Sequence, residues 1–79
     1  MAILRLFASA REAAGTDRAD IDGDTVAQVL DTARARFGAQ FAAILDTANV
    51  WVNGEPAEAS TPVSAGDEVA VLPPVSGGA

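Results

Sequence analysis

Residues 2–8 alternate with a period of two: Leu4, Leu6 and Ala8 fall on one side, and Ile3, Arg5 and Phe7 on the other. That spacing predicts a β-strand. A connection follows through Thr16, with room for a helical turn at 10–14 that Gly15 closes. Residues 18–21 are short and suited to return against the first strand as a hairpin. Asp22-Gly23-Asp24 then has turn chemistry. The period changes at Thr25. Val26, Val29, Leu30, Ala33 and Phe37 recur at the spacing of one helix face. Thr25 suits the N-cap, and Gln28 three residues later completes a capping box. Gly38 suits a left-handed stop, and Arg34 and Arg36 complement the C-terminal end of the helix dipole. The apolar run continues through Phe41, Ile44 and Leu45, which predicts a second short helix over 38–45.

The period of two resumes at Val50-Trp51-Val52. Asn53-Gly54 after it is a type I′ hairpin signal, because both central positions of that turn need positive φ. Residues 55–57 form a brief return arm that Pro56 confines to a sheet edge. Thr61-Pro62 and Ala65-Gly66-Asp67 are turns, and 68–72 is the last strand, with Val69 and Val71 on one face. Pro73-Pro74 ends it, since neither residue can donate to a ladder. The order is strand, strand, helix, strand, short strand, strand. One mixed sheet covered on one face by one main helix is the economical α+β arrangement, and this order matches the β-grasp (ubiquitin-like) fold. The first and last strands then lie parallel at the sheet centre. The domain is 1–72, and 73–79 is an extended Gly-Gly tail.

Composition narrows the chemistry. Seventy-nine residues hold one core and no second. The chain has no Cys, His, Tyr or Lys, and its five cations are all Arg: Arg5, Arg11, Arg18, Arg34 and Arg36. Arg is a poor general base. Hydroxyl nucleophiles have no His or Lys to activate them. Nothing gathers the carboxylates into a pocket. A self-sufficient enzyme is therefore not expected, nor a bound cofactor or metal. The net charge of −6 argues against nucleic acid, whose affinity rests on cations. No stretch approaches the roughly 20 apolar residues of a membrane span. Residues 1–5 do not begin a signal peptide. A cytoplasmic location is the expectation.

With the interior lacking catalytic groups, the terminus is the remaining place for chemistry. A terminal carboxylate can be adenylated by another enzyme and then exchange oxygen for sulfur, becoming a thiocarboxylate donor. Gly77 and Gly78 lack Cβ and can pass a narrow channel. Pro73 and Pro74 stiffen the tail's base. Six residues from Pro73 to Gly78 reach at most about 20 Å.

The chain resembles the MoaD-type small subunit of molybdopterin synthase over essentially its whole length. The resemblance rests on Phe7-Ala8, Arg11-Glu12, Gly15, Val52-Asn53, Gly66-Asp67-Glu68-Val69 and, most specifically, Pro73-Pro74-Val75-Ser76-Gly77-Gly78. It implies that Gly78, preceded by Gly77, is adenylated and then thiocarboxylated. The sulfur would pass to cyclic pyranopterin monophosphate to make molybdopterin. The resemblance also implies a set of partners. These are a MoaE-type large subunit, which supplies the catalytic residues in a heterotetramer, an E1-like adenylating enzyme that uses ATP, and a sulfur donor. The interface it implies involves Phe7, Arg11, Leu72, Pro73, Pro74, Val75 and Ser76. Ala79 departs from the pattern, because the family's working terminus is the second glycine. Ala79 is expected to be removed before activation or not to be native.

Other readings stay open at this level. One is a carrier for thiazole or another sulfur pathway. Another is a ubiquitin-like modifier joined to target lysines, which without Lys cannot build lysine-linked chains on itself. A third is an interaction module with an inert tail. Phe7 and Leu72 are expected to form an exposed apolar patch. Arg11 either meets a partner carboxylate or is a solvated loop charge. Trp51 is expected to serve sheet packing rather than a ligand. Asp17, Asp20, Asp22 and Asp24 lie close in sequence, but their spacing does not match an EF-hand loop.

Overall fold

A computed structural model describes residues 1–74. The first strand, β1 (Ala2–Leu6), stops two residues short of its expected end. Phe7, still extended, becomes the N-cap of α1 (Ala8–Ala14), and Ala8 opens that helix at φ 51°. Residues expected as a strand end and a loose turn are thus one strand and a two-turn helix, closed by left-handed Gly15 as expected. β2 (Arg18–Ile21) pairs antiparallel with β1.

The main helix, α2 (Val26–Phe37), starts where its caps place it: the Gln28 N–H donates to Thr25 Oγ1 at 3.2 Å. The reciprocal bond differs from the usual box. Gln28 Oε1 accepts from the Asp24 N–H at 2.8 Å, one residue earlier than the cap. Gly38 is not in the ordinary left-handed region; at φ 96°, ψ −174° it ends α2 and starts α3 (Ala39–Leu45). Few residues other than glycine adopt that geometry. The sharp reversal brings the Phe37 and Phe41 rings to 5.1 Å between centroids, tilted by 59°.

β3 (Asn49–Val52) turns back through Asn53 and Gly54, both at positive φ, into β4 (Glu55–Pro56). β5 (Glu68–Leu72) completes a sheet of order β2-β1-β5-β3-β4. β1 and β5 are parallel neighbours, with Leu4 opposite Val69 and Leu6 opposite Val71. The two-residue β4 lies at the edge, as Pro56 requires. This order, with β1 and β5 parallel at the centre and the helices over one face, is the expected β-grasp arrangement.

Burial follows parity. Leu4, Leu6, Val69 and Val71 are fully buried under the helices with Val26, Val29, Ala33 and Phe41. No charged or polar residue is buried among the described residues. Truncating Phe41, the largest fully buried side chain, to Ala costs about 3–5 kcal/mol. Gly23 is needed for space. A Cβ there would meet the Val29 backbone nitrogen at 2.8 Å, where the turn presses on the first turn of α2. On the opposite sheet face Ile3, Arg5, Glu68, Ala70, Leu72 and Trp51 are all exposed or half-buried.

Candidate functional site at the end of the central strand

β5 leaves the sheet between β1 and β3. Its last residue, Leu72, pairs with Asn49, and Leu6 pairs with Val71 one step earlier. The chain therefore emerges from the sheet centre, beside Phe7 and the start of α1. Pro73 is half-buried at this exit and Pro74 is exposed. Neither can extend the ladder with an N–H. Gly77 and Gly78, expected to carry the chemistry, Val75 and Ser76, expected at the partner interface, and Ala79, expected to be removed or not to be native, lie outside the described residues.

Phe7 is 40% exposed, and its extended backbone keeps it on the open sheet face with Arg5. The Arg5 guanidinium lies 5.9 Å from the Phe7 ring centroid and 3.4 Å from Glu68 Oε1. Leu72, on the same face, is half-buried. Trp51 is 37% exposed beside Ala70. Phe7, Leu72 and Trp51 thus share the open face with the charged Arg5 and Glu68. Arg11 projects from α1, exposed and without an ion pair among the described residues.

The far end of the sheet is tied together. Asn53 Nδ2 donates to Asp67 Oδ1 at 3.1 Å, and the Glu68 N–H donates to Asn53 Oδ1 at 3.0 Å. The Ser64 N–H donates to Asp67 Oδ2 at 2.8 Å. The donation from Ser64, then that from Asn53, holds the Asp67 carboxyl below the usual carboxylate range. Two stretches of the resemblance, Val52-Asn53 and Gly66-Asp67-Glu68-Val69, therefore brace the hairpin against β5. The nearby surface depression, about 680 Å³, meets Asp22, Asp24 and Asp31. Among the described residues no group of carboxylates is placed to hold a metal ion, and Asp17 and Asp20 stand apart from that depression. No helix of the described residues is long and apolar enough to cross a membrane.

Sequence reading missed the cross-strand neighbours of the open face. Strand parity placed Arg5 with Phe7, but only register sets Arg18 beside Arg5 and Trp51 beside Ala70.

The sequence matches the ThiS family over residues 4–78. It is 42% identical to small archaeal modifier protein 1 of Haloferax volcanii, over 94% of this chain and 97% of the relative. A crystal structure of that protein superposes with a TM-score of 0.82 at 39% identity, covering 98% of both chains. Small archaeal modifier protein 1 of Methanosarcina acetivorans superposes with a TM-score of 0.86 at 30% identity, covering 98% of this chain and 95% of that one. A Pyrococcus furiosus protein assigned as molybdopterin converting factor subunit 1 does so with a TM-score of 0.82 at 27% identity, over 94% and 97%. A family match that runs from β1 to the second terminal glycine, on a β-grasp body of the same topology, shows that the chain belongs to the ThiS family of ubiquitin-like sulfur carriers.

Proposed function

We propose that the chain is the sulfur-carrier subunit of a molybdopterin synthase, with Gly78 as the carrier terminus. The observation that carries this reading is the exit of β5. A half-buried proline and an exposed one lead the chain out from the sheet centre, beside a sheet face that no helix covers and that exposes Phe7 and Trp51. In the first step an oxygen of the Gly78 carboxylate attacks the α-phosphorus of ATP on an adenylating enzyme. An acyl-adenylate forms and pyrophosphate leaves. A sulfide-equivalent nucleophile from a sulfur donor then displaces AMP and leaves the thiocarboxylate. The large subunit presents the pterin acceptor, and water restores the carboxylate after sulfur leaves. Phe7, Leu72, Pro73 and Pro74 form the docking contact at the tail's base, with Arg11 beside them, while Val75 and Ser76 enter the partner's channel. The family match stops at Gly78, which supports removal of Ala79 before activation.

The likeness to a molybdopterin converting factor subunit supports the pterin acceptor. A second reading has its own support. The 42% identity to a small archaeal modifier protein favours conjugation of Gly78 to a lysine of a target. Incubation with an adenylating enzyme, ATP and a sulfur source, followed by mass spectrometry of the C-terminus, tests the carrier reading. It expects an oxygen-to-sulfur exchange on the terminal glycine, and then molybdopterin once the large subunit and cyclic pyranopterin monophosphate are added. An isopeptide to lysine with no thiocarboxylate selects the modifier. Equal thiocarboxylation of the 79-residue chain and a chain ending at Gly78 removes the role given to Ala79 trimming.

A further inference from the structure

The register of the open face aligns one residue from every strand. Arg18 of β2 lies beside Arg5 of β1, then Ala70 of β5, Trp51 of β3 and Pro56 of β4. At the spacing of adjacent strands this row is about 19 Å long. One end is two guanidinium groups and the other an indole next to a proline. The cationic end is unfavourable for the fold alone, since like charges directly opposed across a strand pair repel. Arg5 has a long contact to half-exposed Glu68, and Arg18 makes no ion pair among the described residues. Of the other three arginines, Arg34 pairs with Asp31 at 2.8 Å, Arg36 donates to the Asp20 carbonyl at 3.3 Å, and Arg11, on α1 rather than on the sheet, is exposed without an ion pair among the described residues. In a chain of net charge −6, Arg18 and Arg5 stand side by side near the exposed aromatics, with Asp20 and Glu68 in the next row of the same face, and Arg18 is the member without an ion pair among the described residues.

We propose that Arg5 and Arg18 are the electrostatic half of the docking face. They receive carboxylates from an acidic patch of a partner protein whose apolar portion seats on Ala70, Trp51 and Phe7. The proposal rests on the carrier reading and specifies its partner: an apolar contact flanked, on the β2 side, by Asp or Glu. Arg suits this role because its planar fork binds a carboxylate through two parallel hydrogen bonds. A partner carboxylate displaces the weak Glu68 contact at little cost. A second copy of this chain is disfavoured as the occupant, because two bodies of charge −6 repel.

Arg18→Glu separates docking from folding. It replaces a repulsive cross-strand pair with an attractive one, so thermal stability holds or rises. The probes are the adenylating enzyme and the molybdopterin synthase large subunit of the same organism, with the full chain, by stopped-flow association. At low ionic strength Arg18→Glu slows association about tenfold or more, and the gap to the unaltered chain closes as salt is raised. The double variant Thr32→Glu, Ala35→Glu places the same charge change on exposed positions of α2 and leaves association within about twofold. Equal association of Arg18→Glu and the unaltered chain at low salt overturns the proposal. So does an equal slowing by the α2 double variant, which makes the effect one of net charge. A homodimer that Arg18→Glu dissolves also overturns it, by making the occupant a second copy. Terminal thiocarboxylation of the unaltered chain, followed by mass spectrometry, keeps the two readings apart. If it proceeds while Arg18→Glu has no effect, the carrier reading stands and this one falls.

Discussion

At one end of the sheet the positive-φ positions are held by Asn53, Gly54 and Gly66; at the other Gly15 holds one at the close of α1, but Ala8 holds one at its start. The first end is cross-braced. Asn53 and Asp67 join the hairpin to the start of β5, and the Gly66 N–H donates to the Met1 carbonyl at 3.0 Å. The second end has Phe7 open to solvent, a left-handed alanine opening α1, and two prolines where the central strand stops. Residues suited to the backbone sit where the chain serves only its own fold. At the end where docking is proposed one residue, Ala8, is costly to the isolated chain, a pattern often found when function draws on stability.

Removing residues 77–79 tests that division most severely. Thiocarboxylate formation should vanish by mass spectrometry, with the melting temperature unchanged, since the core ends at β5. Phe7→Asp comes next. It should weaken binding to the large subunit about tenfold to a hundredfold by titration calorimetry, as expected for loss of an aromatic anchor. The fold should remain intact, because Phe7 is 40% exposed. Unfolding by Phe7→Asp would instead assign the ring to the core. At the braced end the effects reverse. Asn53→Ala removes two side-chain hydrogen bonds and a residue tolerant of positive φ, and should cost about 1–2 kcal/mol in urea unfolding while leaving partner binding unaltered. Ala8→Gly should stabilise by about 0.5–1 kcal/mol, since relief of the left-handed Cβ clash exceeds the added backbone entropy.

The smallest effect is acid sensitivity. Asp67 has a folded-state pKa below its unfolded value. Its contribution is therefore complete above about pH 4 and fades as pH falls through the lowered folded value. Asp67→Asn should be less stable at neutral pH and show a shallower loss of stability below pH 4, read from melts across that range. A parallel pair of curves would remove Asp67 from the brace.

Much of this architecture could be read from local pattern. Thr25 and Gln28 cap α2, Asn53-Gly54 makes the hairpin, Pro56 holds an edge, and 68–72 is the last strand. These depend on neighbours within about four residues. Other features escaped because their causes are distant. Strand alternation could not foresee that β1 stops at Leu6, since Phe7-Ala8 extends the period of two while the backbone has already turned into α1. The Gly38 geometry goes with the docking of α3, through buried Phe41 and Leu45, into the common core, which the local pattern of 38–45 does not contain. Among site residues, exposed Phe7 was legible from parity. Half-buried Leu72 was placed on the right face with more exposure than it has.

By itself the sequence determined which reactive side chains the chain has to offer. A chain without Cys, His, Lys or Tyr has few means of activating a nucleophile inside its own body, whatever its fold. It also set each strand's inward and outward residues, because side chains alternate by backbone geometry alone. Only tertiary structure decided which of these meet. Arg5 lies beside Arg18, Asn53 reaches Asp67, and Trp51 neighbours Ala70 because strand register is a property of pairs, fixed by the joint burial of β1, β3 and β5 under α2.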